Sequence, residues 1–412
     1  MFPEVEVPAI DPSRYIPIVG EEAIARLRDL AAGLAGKQIL QINSAAYGGG
    51  VAELLRTRIG LMLGLGIDAT WVVLQAEPVF FEITKSVHNG LQGMEVPWGA
   101  DQEGVYLRQL ERVAQEMPTD ADVVIVHDPQ PCGFGPLLRS RRKGRWFWRC
   151  HIDTSTPIMN IWRFFAPQVA TYDGAIFTDP SYVPPGIEDV PVTFIRPSID
   201  PLSPKNAPLD PAMVRALAER YRLDVSRPIL TQISRFDPWK DPIGVIDAYR
   251  IVKAADAGVQ LVLAGSQADD DPQGAHVLEL ARAHAGGDPD VRLLTDADGI
   301  GDVEVNAFQR AATVAVQKST REGFGLTVSE AMWKGKPVVG GDVGGIRAQI
   351  QDGITGFLVD SVESCADRIG ALLAEPLMGQ IMGQRATEVV RRHFLCIREL
   401  EEELRLISEE RS

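Results

Sequence analysis

The segment Arg321–Gly345 (REGFGLTVSEAMWKGKPVVGGDVGG) holds the residues best suited to chemistry. Gly323-Phe324-Gly325 follows an apolar run that ends near Gln317 and precedes a helical pattern starting at Leu326. Glycines placed there let backbone N–H groups approach a phosphate at the positive end of a helix. Glu322 lies in the loop and Glu330 falls eight residues later, within the helix. Carboxylates set back from a phosphate suit a hydroxyl-rich ligand, because they accept hydrogen bonds from paired sugar hydroxyls. A second element, SRFDPWKD (Ser234–Asp241), puts Arg235 and Lys240 five residues apart behind another apolar run. Two cations at that spacing on a strand-end loop can clamp a diphosphate. A third, NSAAYGGGVAELL (Asn43–Leu55), has the pattern strand, glycine turn, helix, and Gly48, Gly49 and Gly50 make an anion-binding loop. A fourth, RCHIDTS (Arg149–Ser155), ends a strand with His151 and Asp153, while His127-Asp128-Pro129 ends the strand before it. Taken singly, these residues also fit a glycine-rich turn with two exposed glutamates, ordinary surface charges and a structural histidine. Their shared position, on loops leaving strand ends, favours the chemical reading.

Several other readings are excluded. Gly48-x-Gly50 is not a dinucleotide fingerprint, since Glu53 stands at the third position; Gly64-x-Gly66-x-x-Ala69 precedes a strand instead of a helix. Neither GxxxxGK[ST] nor HExxH occurs, so P-loop and zincin chemistry have no motif. The basic-aromatic run RSRRKGRWFWR (Arg139–Arg149) reads as a solvated turn before a buried strand. The chain has 412 residues with 41 Lys+Arg against 56 Asp+Glu, a formal net charge of −15. Such a surface repels nucleic acid and anionic lipid. No apolar run is long enough to span a membrane, the longest, around Leu61–Ile67, being broken by Gly64 and Gly66. The N-terminus has neither a basic region nor an apolar signal core, and Cys132, Cys150, Cys365 and Cys396 form no CxxC pair. A cytoplasmic protein with reduced thiols is expected.

The elements that must position these residues alternate between short apolar runs and helical patterns, as a parallel α/β sheet requires. Strands are predicted at Lys37–Asn43, Thr70–Leu74, Asp122–His127, Trp146–His151, Ala175–Thr178 and Val192–Ile195. A second set follows at Pro228–Ser234, Gln260–Gly265, Val291–Thr295, Thr313–Gln317, Pro337–Gly340 and Gly356–Val359. Asp241 and Pro242 form an N-cap and first position for the helix bearing Val245, Tyr249 and Val252. The proline-rich stretch Arg196–Pro211 reads as an interdomain linker. Three regions result: residues 1–200, residues 201–385, and a terminal helix over 386–412 that packs back toward the first domain, with EEELRLISEE as its solvated end. The expected fold is α/β, two Rossmann-like parallel-sheet domains facing across a deep cleft at their strand ends.

Glu322-x7-Glu330 followed by AMWKGKPVV resembles the retaining GT-B glycosyltransferases of the glycogen- and sucrose-synthase-like group, and SRFDPWK resembles that group's diphosphate clamp. WRCHIDTS, SRFDPWKD, DDPQG, VNAFQRA and the Arg321–Gly345 segment are closest to the trehalose glycosyltransferring synthase subfamily, over nearly the whole chain. The resemblance implies that Arg235 and Lys240 neutralise the leaving β-phosphate and that Glu330 binds the nucleotide ribose. It places Glu322 on the 3- and 4-hydroxyls of the donor glucose, with Gly323, Phe324, Gly325 and Leu326 lining the same site. Gly49 and Gly50 would line the phosphate and acceptor face, and His151 would approach the donor sugar. Asp153, Asn160 and Arg163 would meet the acceptor glucose. The implied activity is retaining, reversible synthesis of trehalose from an NDP-glucose and glucose. The partners are those two substrates, with a homodimer left open; no metal site is expected, and assistance by Mg2+ stays open. Rival readings are a trehalose phosphorylase using glucose 1-phosphate, a sucrose- or glycogen-type synthase with another acceptor, and a binding protein without turnover.

Overall fold

Every apolar run predicted as a strand forms one, displaced at its ends by at most two residues. A computed structural model describes residues 2–47, 49–265 and 272–409. It divides the chain into two units, Met1–Pro197 with Cys396–Ser412, and Ser198–Leu395.

Unit 1 carries β1 (Gln38–Asn43), β2 (Asp68–Val73), β3 (Val123–His127), β4 (Arg145–Arg149), β5 (Gly174–Phe177) and β6 (Val192–Phe194). They pair in parallel in the order β2-β1-β3-β4-β5-β6. Helices cover both faces, so the central strands are continuous apolar runs with no exposed side; β3 (VVIVH) is buried throughout. Trp146, Trp148, Trp162 and Phe165 fill much of this core.

Unit 2 repeats the plan with β7 (Ile229–Ile233), β8 (Gln260–Ala264), β9 (Val291–Leu294), β10 (Val314–Gln317), β11 (Val338–Gly341) and β12 (Gly356–Val359), ordered β12-β11-β10-β7-β8-β9. Open α/β sheets bind ligands beyond the strand ends where the order reverses. In unit 1 that point lies between β1 and β3, which lead into Asn43–Gly50 and into His127-Asp128. In unit 2 it lies between β7 and β10, which lead into Ser234–Asp241 and Lys318–Gly325. Topology alone therefore brings the candidate loops together within each unit.

The proline-rich stretch is not a bare tether. From Ser198 it belongs to unit 2, where Asn306 Nδ2 donates to the Pro204 and Ala207 carbonyls at 2.8 Å each, and Arg310 reaches the Asn206 and Ala207 carbonyls. Residues 386–395 also stay in unit 2, and the chain rejoins unit 1 only at Cys396. The helix Cys396–Ser408 buries Ile397, Leu400, Leu404 and Ile407, a stripe at i, i+3, i+7 and i+10. The expectation of a solvated acidic end is corrected at Glu403, which is fully buried with Glu399 one turn earlier. Arg58 and Arg149, also buried, neutralise the two carboxylates: Arg149 NH1 lies 2.8 Å from Glu403 Oε2 and Arg149 NH2 2.5 Å from Glu399 Oε1. Arg58 pairs with the same two groups. Two positive and two negative charges cancel, which is what permits their burial.

Candidate active site

In unit 2 the loop after β7 is built by local caps. Asp237 accepts from the Trp239 amide at 2.9 Å and opens the short turn Pro238–Lys240. Asp241, at φ 48°, accepts from the Gly244 amide at 3.0 Å and starts the helix Pro242–Ala255, so the cap expected from sequence forms. Gln232, buried on β7, donates to the Lys240 carbonyl at 3.0 Å. The backbone of Lys240 is thus held from two sides. Its ammonium lies 2.5 Å from Glu322 Oε2, and Ser319 Oγ donates to the same oxygen at 3.3 Å. Lys318 pairs in turn with Asp241. Arg235 is more exposed, its guanidinium 4.0 Å from Asp237. Lys240 of the clamp and the loop glutamate, read separately in the sequence, form one ion pair in the fold, while Arg235 stays beside Asp237.

The glycine loop after β10 is fixed by backbone against backbone. Gly325 takes φ 82° and precedes the helix Leu326–Trp333. Phe324 is buried edge-on against Phe394, centroids 5.6 Å apart. The Gly345 amide donates to the Glu322 carbonyl at 3.0 Å. A side chain at Gly345 would put its Cβ 2.2 Å from Phe324 Cα, so only glycine fits that approach. Gln349 then ties the loop: its Nε2 donates to the carbonyls of Phe324 (2.5 Å), Gly345 (3.0 Å) and Gly325 (3.3 Å). Ser329 Oγ donates to Gln349 Oε1 at 2.5 Å, which sets the amide's orientation.

Neither glutamate is an exposed turn residue. Glu322 is 8% exposed and Glu330 is 0% exposed. Gln309 Nε2 donates to Glu330 Oε2 at 3.0 Å, and the Lys334 ammonium, 2.7 Å from Gln309 Oε1, orients that amide. Among the described residues Glu330 Oε1 accepts no hydrogen bond, and Lys205 Nζ lies 3.7 Å from it. A buried carboxylate oxygen without a donor is costly, and it is the acceptor a ligand hydroxyl would satisfy.

In unit 1, Gly49 caps the helix Gly50–Gly64 with extended backbone, while Gly48 lies outside the described residues. His151 and His127 come together: His127 Nδ1 lies 2.9 Å from His151 Nε2, with the rings 13° from coplanar. Asp128, at φ 64°, accepts from the His151 amide at 2.8 Å. Burial pushes the Asp128 carboxyl up to about 7, against the lowering effects of that amide and of Arg149. Asp153 is buried two residues beyond His151 and accepts from Ser155 N and Oγ at 3.0 and 2.6 Å. Asn160 and Arg163 share the exposed face of the helix Met159–Val169. Of the DDPQG string, Asp270 and Asp271 lie outside the described residues.

The sequence matches the family "Trehalose synthase, N-terminal domain" over residues 41–184 and "Glycosyl transferases group 1" over residues 214–389. It is 44% identical to a trehalose synthase of Rubrobacter xylanophilus, across 96% of this chain and 95% of that protein. The chain belongs to the trehalose synthase family. A trehalose phosphorylase of Pleurotus pulmonarius is more distant, 26% identical across 85% of this chain and 54% of its own length. Among solved structures, a UDP-forming α,α-trehalose-phosphate synthase of Burkholderia xenovorans has TM-score 0.72 at 13% identity, covering 90% of this chain and 100% of that one. The fold of this trehalose synthase family member is therefore GT-B, with two Rossmann-like units, and its activity is that of a trehalose-related glycosyltransferase.

Among the described residues of this family member, no group of three or more His, Cys, Asp or Glu side chains is placed to hold a metal ion. No described helix is long and apolar enough to cross a membrane. Several residues that shape the site lay beyond the sequence reading. Gln349 clamps the glycine loop from 24 or more residues away, and Gln309 holds Glu330 from a different helix. The partnership of His127 with His151 had a faint signal, since both end neighbouring parallel strands. Gln41, whose amide oxygen lies 2.6 Å from His127 Nε2, had none, nor had Arg58, Glu399 and Glu403.

Proposed function

We propose that this chain is a retaining glucosyltransferase that makes trehalose from an NDP-glucose and free glucose, releases the NDP and runs in both directions. The observation that carries the reading is the meeting of Lys240 and Glu322, 2.5 Å apart beyond the switch point of the unit 2 sheet. Glycosyl transfer develops a cationic sugar and an increasingly anionic leaving diphosphate, so fixed positive charge at the phosphate gives the largest help. Lys240 and Arg235 supply it, together with the amides of Gly323, Phe324, Gly325 and Leu326 at a helix start. When donor enters, Lys240 exchanges its carboxylate partner for phosphate, and Glu322 is released to accept from the 3- and 4-hydroxyls of the glucose. The open oxygen of Glu330 takes a ribose hydroxyl. Gly49 and Gly50 take the phosphate and acceptor side, His151 the donor sugar, and Asp153, Asn160 and Arg163 the acceptor. With no carboxylate assigned as nucleophile, the acceptor hydroxyl attacks from the face the diphosphate leaves, the diphosphate takes its proton, and configuration is retained. No metal is required in this scheme.

The test is product analysis with glucose and a panel of UDP-, ADP- and GDP-glucose, including the anomeric configuration of the disaccharide. Trehalose and stoichiometric NDP are expected. The similarity to a trehalose phosphorylase favours one second reading, glucose 1-phosphate as donor. Trehalose formed at comparable rate from glucose 1-phosphate without nucleotide would establish it, and would leave the open oxygen of Glu330 without a ribose.

A further inference from the structure

We propose that Glu403, Gln41 and His127 are positioning residues that fix one tautomer of His151, with hydrogen on Nε2, so that Nδ1 meets the sugar as a hydrogen-bond acceptor. The assignment of the sugar to His151 rests on the function proposed above; the tautomer follows from the free protein alone.

The chain of donors and acceptors starts at a charge. Arg149 NH1 and Arg58 NH1 lie 2.8 and 3.2 Å from Glu403 Oε2, a buried ion pair. An ionised carboxylate only accepts. The end of Gln41 that lies 2.7 Å from Glu403 Oε1 is therefore its NH2 group. The other end, the amide oxygen, faces His127 Nε2 at 2.6 Å and carries no hydrogen, so Nε2 is the donor. Burial first, with the positive charges of Arg58 and Arg149 adding to it, holds the His127 ring neutral. A neutral imidazole with hydrogen on Nε2 has a lone pair on Nδ1. His151 Nε2 lies 2.9 Å from that lone pair in a nearly coplanar ring, and so it donates. Burial, reinforced by Arg149 and Arg58, keeps His151 neutral as well. Its Nδ1 is left as an acceptor.

Each link has one polarity, because the first is set by an ion that cannot donate. The His151 backbone is pinned separately, by its amide donating to Asp128 Oδ1 at 2.8 Å. Ring orientation and hydrogen placement are thus both determined before any ligand arrives. A hydroxyl of the sugar can donate to Nδ1, whereas a carbonyl or phosphate oxygen cannot. Without the relay the two His151 tautomers would compete, and a fraction of the protein would present an N–H to a position that calls for an acceptor. Fixing a tautomer through the hydrogen bond at the other ring nitrogen is a general way of tuning histidine.

The experiment uses full-length protein labelled with 15N in histidine, with long-range 1H–15N correlation at neutral pH. Each of the six histidines is assigned by substituting it in turn, so that His127 and His151 are told apart. Both rings are expected neutral with hydrogen on Nε2; hydrogen on Nδ1 of His151 in the unsubstituted protein overturns the proposal without any variant. In Gln41→Leu, which removes the amide oxygen, the Nε2–H form of His151 is expected to lose its dominance. kcat/KM for the donor should fall about tenfold, the scale of one neutral hydrogen bond. Unchanged His151 tautomer in that variant also overturns it. A protein that shows these tautomers but makes no trehalose would sink the proposed function and leave the relay standing. One that makes trehalose with the opposite tautomer would do the reverse.

Discussion

Gly345→Ala probes the glycine loop without removing any charged group. A Cβ at this position would lie 2.2 Å from Phe324 Cα, 2.6 Å from the Gly323 carbonyl oxygen and 2.8 Å from the Phe324 amide nitrogen. Non-bonded carbon atoms settle at about 3.5–4.0 Å, so the two backbones must separate by more than about 1 Å. No flexible side chain absorbs the shift, because all three contacts are backbone atoms. The same backbone carries Glu322, whose carbonyl accepts from the Gly345 amide. Displacement therefore moves the carboxylate that meets Lys240. A misplacement of about 1 Å at a reacting centre costs on the order of 100-fold in rate, while overpacking costs about 1–3 kcal/mol of stability. The expected protein is folded and melts several degrees lower. Its kcat/KM, measured by NDP release with NDP-glucose and glucose, falls about 100-fold. Gly370→Ala is the control, since among the described residues beyond its own helix backbone nothing lies within 4 Å of its added Cβ, and it sits within the helix Val362–Ala374. A folded Gly345→Ala protein with activity near that of the control would refute the coupling between loop position and turnover.

The remaining predictions address single groups. Lys240→Ala and Arg235→Ala should each lower kcat by about 10²–10³ with a smaller change in donor KM, because their contact strengthens as the diphosphate leaves; steady-state titration of donor checks this, and unchanged kcat rejects the clamp. Glu330→Ala should weaken binding of NDP-glucose and of free NDP alike by calorimetry, and equal affinity counts against the ribose contact. Asp128→Asn should change the pH dependence of stability. Burial raises the folded-state pKa to about 7 from 3.8. The proton is thus held more tightly in the folded state, and this contribution is present below pH 3.8 and lost as pH rises toward 7. The loss totals roughly 4 kcal/mol at about 1.36 kcal/mol per unit. Asparagine does not ionise, retains an acceptor for the His151 amide and tolerates the left-handed backbone. Melting temperatures should show the variant gaining on the unsubstituted protein between pH 4 and 7, and a constant difference across that range would reject the assignment.

The fold was legible because parallel strands covered on both faces must be continuous apolar runs, and runs such as VVIVH and QLVLA are short, pure and punctuated. Caps such as Asp241 with Pro242 were legible for the same reason, since cause and effect lie within four residues. Arg235, Lys240 and Glu322 stood out because glycine, proline and charge cluster around strand ends. Their direct pairing did not, because Lys240 and Glu322 are 82 residues apart and only the β7–β10 adjacency joins them. Gln41 and Glu403, 362 residues apart, left no local trace at all. The acidic run EEELRLISEE was misleading for a physical reason. A glutamate facing water and one facing a buried arginine have the same neighbours in sequence, and only the distant cation distinguishes them.

The return of the last helix to unit 1 bears on how the molecule is made. During synthesis Arg149 leaves the ribosome 250 residues before Glu399, and Arg58 leaves 341 residues before it. At about 5–20 residues per second that is a wait of roughly 10 s to more than a minute. Throughout it, unit 1 holds two guanidinium groups, one on its sheet and one on the helix Gly50–Gly64, whose carboxylates do not yet exist, and it cannot reach its final core. Every residue of unit 2 through Leu395 is translated within that interval. Unit 1 is begun before unit 2 and completed only after it.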